Sequence, residues 1–289
     1  MPESPIQQLI THPPDPILLA LAEDIGSGDV TCESFVPAGQ KSVARIFCKQ
    51  ASAIAAGVEV GARVFELVDS ALEVRIIRPS GSDLERGDTV LEVYGSTRSI
   101  LTGERTALNF IQQLSGVATL TRKFVDAVKP HKARILDTRK TTPGLRALEK
   151  AAVLSGGGTN HRFGLYDMAM VKENHVVSTD LAQLVADIRA FKKRYPHHRL
   201  ELEAQSLLEV RDFLAMDGID VIMLDNLSLK DMTEAVKLRA EKNVLFEASG
   251  GVTLDTVAAI AATGVDFISV GGLTHSAPAV DYSLDIQRV

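Results

Sequence analysis

The sequence predicts an α/β protein in two parts, a small α+β domain followed by a closed or nearly closed barrel of parallel strands. Three observations carry this prediction. From residue 133 onward, short apolar runs of strand length alternate with amphipathic stretches of helix length. Polar or glycine residues follow each of those apolar runs. Before residue 100, short β-like runs are separated by turn signals.

The first third of the chain has the pattern of one small domain. A helix is predicted over residues 17–23, and turn signals at residues 79–81 and 86–88 separate later strands. The predicted strands cover residues 43–48, 72–77 and 89–93. A helix followed by short strands indicates an α+β arrangement.

Residues 99–128 have a helical pattern, with apolar side chains at intervals of three or four. We expect this helix to break near Gly116, and we place the domain boundary there. The predicted domains are therefore residues 1–116 and 117–289.

The second domain is predicted to consist of parallel βα units, because short strands rich in Val, Ile and Leu alternate with helices. The strand candidates span residues 133–138, 168–172, 200–204, 221–224, 244–248 and 267–270. The helix candidates between the later strands span residues 181–191, 207–216, 229–240 and 254–262. Periodicity alone fits an open doubly wound sheet as well as a barrel.

The residues that follow the strands favour the barrel. Each candidate strand ends in charged, polar or glycine residues. In a barrel the carboxyl ends of all strands converge on one face, where active sites form, whereas in an open sheet only the ends near the switch point meet. Six strands whose carboxyl ends all carry residues typical of an active site therefore indicate a barrel.

Positive charge is concentrated between His131 and His175, although the whole chain is acidic. This window holds eight Lys or Arg and four Asp or Glu, a balance of +4, against a net charge of −6 for the chain. A nucleic-acid-binding protein would have a basic surface over a whole domain, so the pattern favours a small anionic ligand. The absence of Trp and an aromatic content of 5% also argue against base stacking.

Composition predicts a soluble cytoplasmic protein. Residues 1–16 contain an acid and prolines where a signal peptide has a basic start and an apolar run, and no apolar stretch of 18 residues follows. Cys32 and Cys48 lie outside any CxxC pair, so we expect reduced, partly buried thiols rather than a metal site.

Candidate anion-binding cations follow the first two strands of the second domain. Arg139 and Lys140 come directly after the first strand, and Lys172 ends the second. Arg offers a planar fork to a carboxylate or phosphate, and Lys offers a movable point charge. The alternative is a loop of ordinary solvated charges, but a second strand that also ends in a cation weakens it.

Glycine runs follow or separate several of these strands. The run at residues 156–158 lets the backbone approach a ligand, and His161 and Arg162 come directly after it, although a flexible loop is an equal alternative. Two later runs are typical of the phosphate site that barrels form after their last strands. The residues of that candidate phosphate site are Ser249, Gly250, Gly251, Gly271 and Gly272.

Two acids end neighbouring strands among these cations. Glu203 and Asp225 can pair with the cations, bind Mg²⁺ through oxygen atoms, or accept hydrogen bonds from sugar hydroxyls. The glycine runs of the candidate phosphate site, together with the basic face, suggest a phosphorylated substrate.

Long motifs spread over nearly the whole chain resemble one known family. They are EDIGSGDVT at 23–31, GERTALNFIQQLSG at 103–116, TRKTTPGLR at 138–146, GGGTNHRFGLYDMAMVKENH at 156–175, ELEAQ at 201–205, MLDN at 223–226, EASGGV at 247–252 and SVGGLTHS at 269–276. In this order they resemble the quinolinate phosphoribosyltransferases, also called nicotinate-nucleotide diphosphorylases (carboxylating).

The resemblance implies an N-terminal α/β sandwich domain and an incomplete barrel of about six strands. It implies a homodimer in which the N-terminal domain of one subunit closes the barrel mouth of the other. It also implies a pentosyltransferase that joins quinolinate to 5-phosphoribosyl 1-diphosphate with Mg²⁺, releases diphosphate and CO₂, and forms nicotinate mononucleotide for NAD biosynthesis. Neither an organic cofactor nor a nucleic-acid or membrane partner is implied.

The same resemblance implies roles for individual residues. Arg139, Arg162 and Lys172 would hold the quinolinate carboxylates. His161 and Lys140 would lie beside them, and Arg105 would reach in from the other subunit. Glu203 and Asp225 would contact the ribose hydroxyls and the metal. The glycine turns of the candidate phosphate site would hold the 5-phosphate.

Two other functions remain open. A phosphoribosyltransferase for nicotinate would need fewer cations, because that substrate has one carboxylate, and the cluster around Arg139 and Arg162 favours two. A non-catalytic anion-binding protein would bind phosphate tightly and give no turnover.

Overall fold

A computed structural model describes residues 13–175 and 180–289, whose contacts divide the chain into two compact units. The first unit contains residues up to 119, 142–156 and 277–289. The second contains residues 120–141 and 157–276. The units are thus interleaved along the chain, and the division at residues 116 and 117 stays a prediction.

The helices and strands alternate as the sequence suggested. The helices are α1 (Pro16–Ile25), α2 (Val30–Phe35), α3 (Val58–Val68), α4 (Thr97–Val128), α5 (Arg146–Ser155), α6 (Leu181–Arg194), α7 (Leu207–Leu214), α8 (Leu229–Leu238), α9 (Leu254–Ala262) and α10 (Gly272–His275). The strands are β1 (Lys41–Cys48), β2 (Ala53–Ile54), β3 (Glu73–Ile76), β4 (Asp83–Leu84), β5 (Thr89–Ser96), β6 (Arg134–Leu136), β7 (Ala169–Val171), β8 (Leu200–Ala204), β9 (Val221–Asp225), β10 (Leu245–Ser249), β11 (Phe267–Ser269) and β12 (Tyr282–Arg288).

The first unit is built on an antiparallel sheet with the strand order β12-β1-β5-β3. Side chains alternate across β1, and its inward residues pack with Phe65, Leu91 and Ile111 in a fully buried core. The predicted helix at 17–23 is confirmed, and Asp15 caps it by accepting a hydrogen bond from the Ile17 N–H at 2.9 Å. Strand β12 was missed by the sequence reading.

The expected break near Gly116 is wrong, because α4 is continuous from Thr97 to Val128. A Cβ atom on residue 116 would lie 2.3 Å from the carbonyl oxygen of Pro278. The glycine therefore serves the close approach of the C-terminal segment of the first unit rather than ending the helix. Cys32 and Cys48 are buried free thiols, and burial raises the pKa of the Cys32 thiol to about 11.

The second unit holds six parallel strands in the order β6-β11-β10-β9-β8-β7, as predicted. Among the described residues, β6 and β7 do not pair with each other, so the barrel is incomplete. Each of the helices α6 to α9 begins at a polar capping residue. These residues are Asp180, Ser206, Ser228 and Thr253.

The two faces of the parallel sheet differ in polarity. One face, termed here the outer face, carries buried apolar side chains that include Leu202, Ile222, Leu224, Phe246 and Ile268. Residues in alternate positions form the inner face and line cavities. Within residues 13–175 and 180–289, no helix combines the length and the apolar character that a membrane crossing requires.

Candidate functional site

The inner face of the parallel sheet lines two cavities. The carboxyl-end cavity, of about 610 Å³, is lined by residues at or beyond the strand ends, such as Asp225 and Ser249. The amino-end cavity, of about 940 Å³, is lined by residues at the strand starts, such as Val221 and Leu245. Three residues line both cavities, and they are His161, Arg162 and Glu247.

The carboxyl-end cavity brings together most of the predicted site residues. Those that line it are Arg139, Lys140, His161, Arg162, Lys172, Asp225, Ser249, Gly250, Gly251, Gly271 and Gly272. Glu203 does not line it but contacts the Nζ atom of Lys172. Arg105 lies in the first unit, exposed on α4. The cavity also contains Asn226 and His275, which the sequence reading did not single out.

Lys172 and Glu203 form an ion pair at the ends of neighbouring strands. The Lys172 side chain is 41% exposed, whereas the Glu203 side chain is 9% exposed. A largely buried carboxylate therefore holds the ammonium group, while much of that group still faces the cavity. A pair in this position orients Lys172 toward an incoming anion.

The strand register places Glu203 and Asp225 on the same face. Glu203 lies opposite Met223, and Asp225 is two positions further along the same strand as Met223. Since side chains two positions apart point the same way, both carboxylates lie on the inner face. Carboxylate oxygens are the ligands that Mg²⁺ prefers, so this pair is chemically suited to a magnesium ion shared with phosphate groups.

The glycine turns differ in how strictly they require glycine. Gly250 has φ +99°, and a Cβ atom there would lie 2.1 Å from the Oδ1 atom of Asn226. A Cβ atom on residue 271 would lie 3.0 Å from the Cδ atom of Lys140. Residue 272 has open space around it. Gly250 thus approaches Asn226 more closely than other residues allow, whereas at Gly271 the flexible Lys140 side chain would need to move only slightly to admit a Cβ atom.

Two arginines lie near each other at this cavity. The Arg162 guanidinium donates a hydrogen bond to the Met168 carbonyl oxygen at 3.0 Å. Burial and the positive charge of Arg139 together lower the pKa of Arg162. Like charges held this close are relieved when an anion binds between them, which is the arrangement expected of a site for a carboxylate or phosphate ligand.

His161 is bonded to the protein through both ring nitrogens. Its Nδ1 atom accepts a hydrogen bond from the Arg162 backbone N–H at 2.7 Å. Its Nε2 atom lies 3.2 Å from carboxylate oxygens of Glu201 and of Glu247. The His161 backbone N–H donates to Asp137 at 2.9 Å. The ring is therefore anchored within the sheet, and the place of His161 beside the quinolinate carboxylates stays a prediction.

Sequence reasoning missed Glu201 and Glu247, which are buried in the sheet. It considered the residues after each strand, whereas these acids lie within β8 and β10. A signal was present, because Glu201 is two positions before Glu203 and shares its face. Burial acts to lower the pKa of His161 and the two carboxylates act to raise it, while the hydrogen bond that Nδ1 accepts from the Arg162 N–H favours the neutral ring with its proton on Nε2. Burial, with the charge of Glu247, raises the pKa of Glu201.

Comparison with known families covers almost the whole chain. A sequence model of the quinolinate phosphoribosyl transferase C-terminal domain matches residues 117–285. The corresponding model of the N-terminal domain matches residues 29–115.

Curated relatives and solved structures agree with these matches. The chain is 39% identical over 265 residues to a probable nicotinate-nucleotide pyrophosphorylase (carboxylating) of Bacillus subtilis, covering 91% of this chain and 90% of the relative. It is 41% identical over 277 residues to the nicotinate-nucleotide pyrophosphorylase (carboxylating) of Mycobacterium leprae, covering 94% and 96%. The crystal structure of NadC from Streptococcus pyogenes superimposes with a TM-score of 0.88 at 36% identity, covering 100% of this chain and 99% of that one. The chain belongs to the quinolinate phosphoribosyltransferase family.

Proposed function

We propose that the carboxyl-end cavity is where this chain joins quinolinate to 5-phosphoribosyl 1-diphosphate. The chain is a pentosyltransferase that releases diphosphate and CO₂ and forms nicotinate mononucleotide in NAD biosynthesis. The observation that best supports this location is the gathering of four cations and the glycine turns around one cavity. The cations are Arg139, Lys140, Arg162 and Lys172.

The cations match the charge of quinolinate, which is a dianion. Arg139 and Arg162 provide planar forks suited to its two carboxylates, and Lys172 provides a point charge oriented by Glu203. A substrate with a single carboxylate would engage only one of these two arginine forks. The arrangement therefore favours quinolinate over nicotinate.

The acids and glycines suit the sugar donor. Glu203 and Asp225 would hold Mg²⁺ together with the ribose hydroxyls, and the ion would supply positive charge to the departing diphosphate. The same carboxylates lie where they can stabilise the positive charge that develops at the sugar carbon as its bond to diphosphate breaks. The backbone turns at Gly250 and Gly271 would hold the 5-phosphate.

Decarboxylation then follows from the substrate's own chemistry. Once the ring nitrogen carries the ribose, its positive charge stabilises the carbanion that CO₂ leaves behind. No organic cofactor is needed as an electron sink, and the protein contributes the positioning of the substrates and the electrostatic field around them.

A homodimer completes the proposed site. Arg105 is exposed on α4 of the first unit, and we assign it to the active site of the other subunit. Mixing Arg105→Ala with Lys172→Ala, each nearly inactive alone, should restore activity, because about a quarter of the sites in randomly exchanged dimers are intact. Absence of restoration after verified subunit exchange would contradict the assignment.

A substrate comparison tests the function itself. Purified protein is mixed with phosphoribosyl diphosphate, Mg²⁺ and either quinolinate or nicotinate, and diphosphate, CO₂ and nicotinate mononucleotide are measured. We expect nicotinate mononucleotide and equimolar CO₂ in the mixture with quinolinate, and neither in the mixture with nicotinate. Turnover of nicotinate without quinolinate turnover would identify the related enzyme, and tight phosphate binding without either reaction would identify a non-catalytic protein.

A further inference from the structure

Three side chains buried between the two cavities form a cluster that the proposed chemistry does not use. His161, Glu201 and Glu247 place their ligand atoms within 4.8 Å of one another. Their side chains are 7%, 0% and 2% exposed, respectively. Apart from the contact with His161, the oxygens of Glu201 and the Oε1 atom of Glu247 have no hydrogen-bond partner among the described residues. Burying such a cluster costs desolvation free energy, which indicates that the cluster has a function.

A metal ion does not fit this cluster well. The 3.2 Å separations between Nε2 and the carboxylate oxygens would suit ligands around a small ion. A metal on Nε2 would, however, leave the ring proton on Nδ1, which already accepts the Arg162 N–H. Two N–H groups would then face each other at 2.7 Å. The proton therefore belongs on Nε2, directed at the two carboxylates.

The cluster ties the segment before β7 to three strands. Glu201 lies on β8 and Glu247 on β10, and both hold the imidazole. Asp137 follows β6 and accepts the His161 backbone N–H. Residues 157–168 have no helix or strand of their own, so these contacts fix the position of His161 on the inner face. The next residue in the chain is Arg162.

The link from His161 to Arg162 is direct. In the same ring orientation, Nδ1 accepts the Arg162 backbone N–H while Nε2 lies between the two glutamates. The orientation of this peptide determines where the Arg162 side chain leaves the backbone; Arg162 lines both cavities, and its guanidinium donates to the carbonyl of Met168, which lines the amino-end cavity. Small displacements of a substrate-binding arginine have large effects on binding and turnover.

We propose that Glu201 and Glu247 are positioning residues that act through the His161 ring to hold Arg162 in the carboxyl-end cavity. This inference rests on the proposed function, in which Arg162 binds a quinolinate carboxylate. Glu201 is fully buried and Glu247, although it lines both cavities, is only 2% exposed, so their effect on the substrate passes through one imidazole.

A double-mutant cycle tests the proposal. Glu247→Leu removes the acceptor for the Nε2 proton, and we expect it to raise KM for quinolinate about 10- to 100-fold, with KM for phosphoribosyl diphosphate changed about twofold or less. In an Arg162→Ala background, the same substitution should cause no further rise in KM for quinolinate, because Glu247 acts on the substrate through Arg162. Glu247→Gln keeps an acceptor oxygen and should restore most of the wild-type KM.

A control variant separates positioning from general loss of stability. Leu202→Ala lies next to Glu201 on β8 but on the outer face, and it should lower Tm while leaving both KM values unchanged. If Glu247→Leu does not fold, Glu201→Leu is analysed through the same cycle.

Additive effects of Glu247→Leu and Arg162→Ala would overturn the proposal, as would equal rises in both KM values. Stoichiometric metal in the wild-type protein that Glu247→Gln loses would overturn it as well. A wild-type protein that fails to consume quinolinate would instead disprove the proposed function, so the two failures are distinguishable.

Discussion

The two cavities share one face of one sheet but differ in how their charges are arranged. At the carboxyl-end cavity, Arg139 and Arg162 are close enough for one charge to depress the pKa of the other guanidinium. At the amino-end cavity, Asp266 pairs with both Lys132 and Arg239. At the first cavity two arginines therefore repel each other beside the Lys172–Glu203 ion pair, whereas at the second cavity Asp266 compensates the charges of two cations.

This difference shows that the number of charges does not identify a binding site. The amino-end cavity is the larger one and is also lined by cations, including Arg134 and Arg199. It lacks, among its lining residues, the tight glycine turns that Gly250 and Gly271 provide at the other end. Two neighbouring arginines beside an approachable backbone favour an anion site at the carboxyl-end cavity, and Asp266 at the amino-end cavity is held in a structural ion-pair network.

The largest expected effect comes from removing one arginine at each end of the sheet. Arg139→Ala should raise KM for quinolinate about 10- to 100-fold, because a charge-assisted hydrogen bond to a carboxylate is lost. Arg134→Ala, an exposed arginine at the amino-end cavity, should change KM about twofold or less. Steady-state kinetics of both variants, with circular dichroism as the check on folding, provides the comparison.

Equal rises in KM for the two arginine variants would remove the distinction between the cavities. A larger effect of Arg134→Ala would move the substrate site to the amino end of the sheet. A loss of circular-dichroism ellipticity in Arg139→Ala would instead show that Arg139 is needed for folding.

Local sequence pattern was sufficient for most of the fold. Strand β8 was predicted at its observed bounds, since Leu200, Leu202 and Ala204 alternate with the acids in a short run. The helix break at Gly116 was wrong because that glycine is required by the carbonyl of Pro278, which lies far away in sequence. Periodicity reports local conformation and contains no information about such approaches.

The site was predicted only where its residues follow strands. Lys172 and Asp225 were found because a charge that ends an apolar run belongs at a barrel mouth. Glu247 was missed because it lies inside an apolar run, where the usual expectation is packing. Its function depends on His161, a partner 86 positions earlier that only the folded sheet brings within reach.

A smaller effect, on stability rather than binding, is expected at the amino-end cavity. Asp266 accepts hydrogen bonds from Lys132 Nζ at 2.7 Å, Arg239 Nη1 at 2.5 Å and the Phe246 N–H at 2.9 Å. Asp266→Asn should lower the free energy of unfolding at pH 7 by about 1–3 kcal/mol, measured by urea denaturation. Because this cavity is structural, kcat and both KM values should stay at wild-type levels, and a fall in kcat would contradict the comparison.

The pH dependence of the stability difference between the wild type and Asp266→Asn follows from the pKa of the Asp266 carboxyl. Burial acts to raise the pKa of Asp266, but the hydrogen bonds from Lys132 and Phe246 and the charge of Arg239 outweigh it and lower that pKa below its ordinary value of 3.8. The stabilisation is therefore fully present above about pH 4, the range of the unfolded carboxyl, and is lost as pH falls through the lower folded value. The wild-type advantage over Asp266→Asn should stay constant from pH 7 to pH 5 and shrink below pH 4. A difference in unfolding free energy that instead disappears between pH 7 and pH 5 would show that Asp266 is not held ionised by these partners.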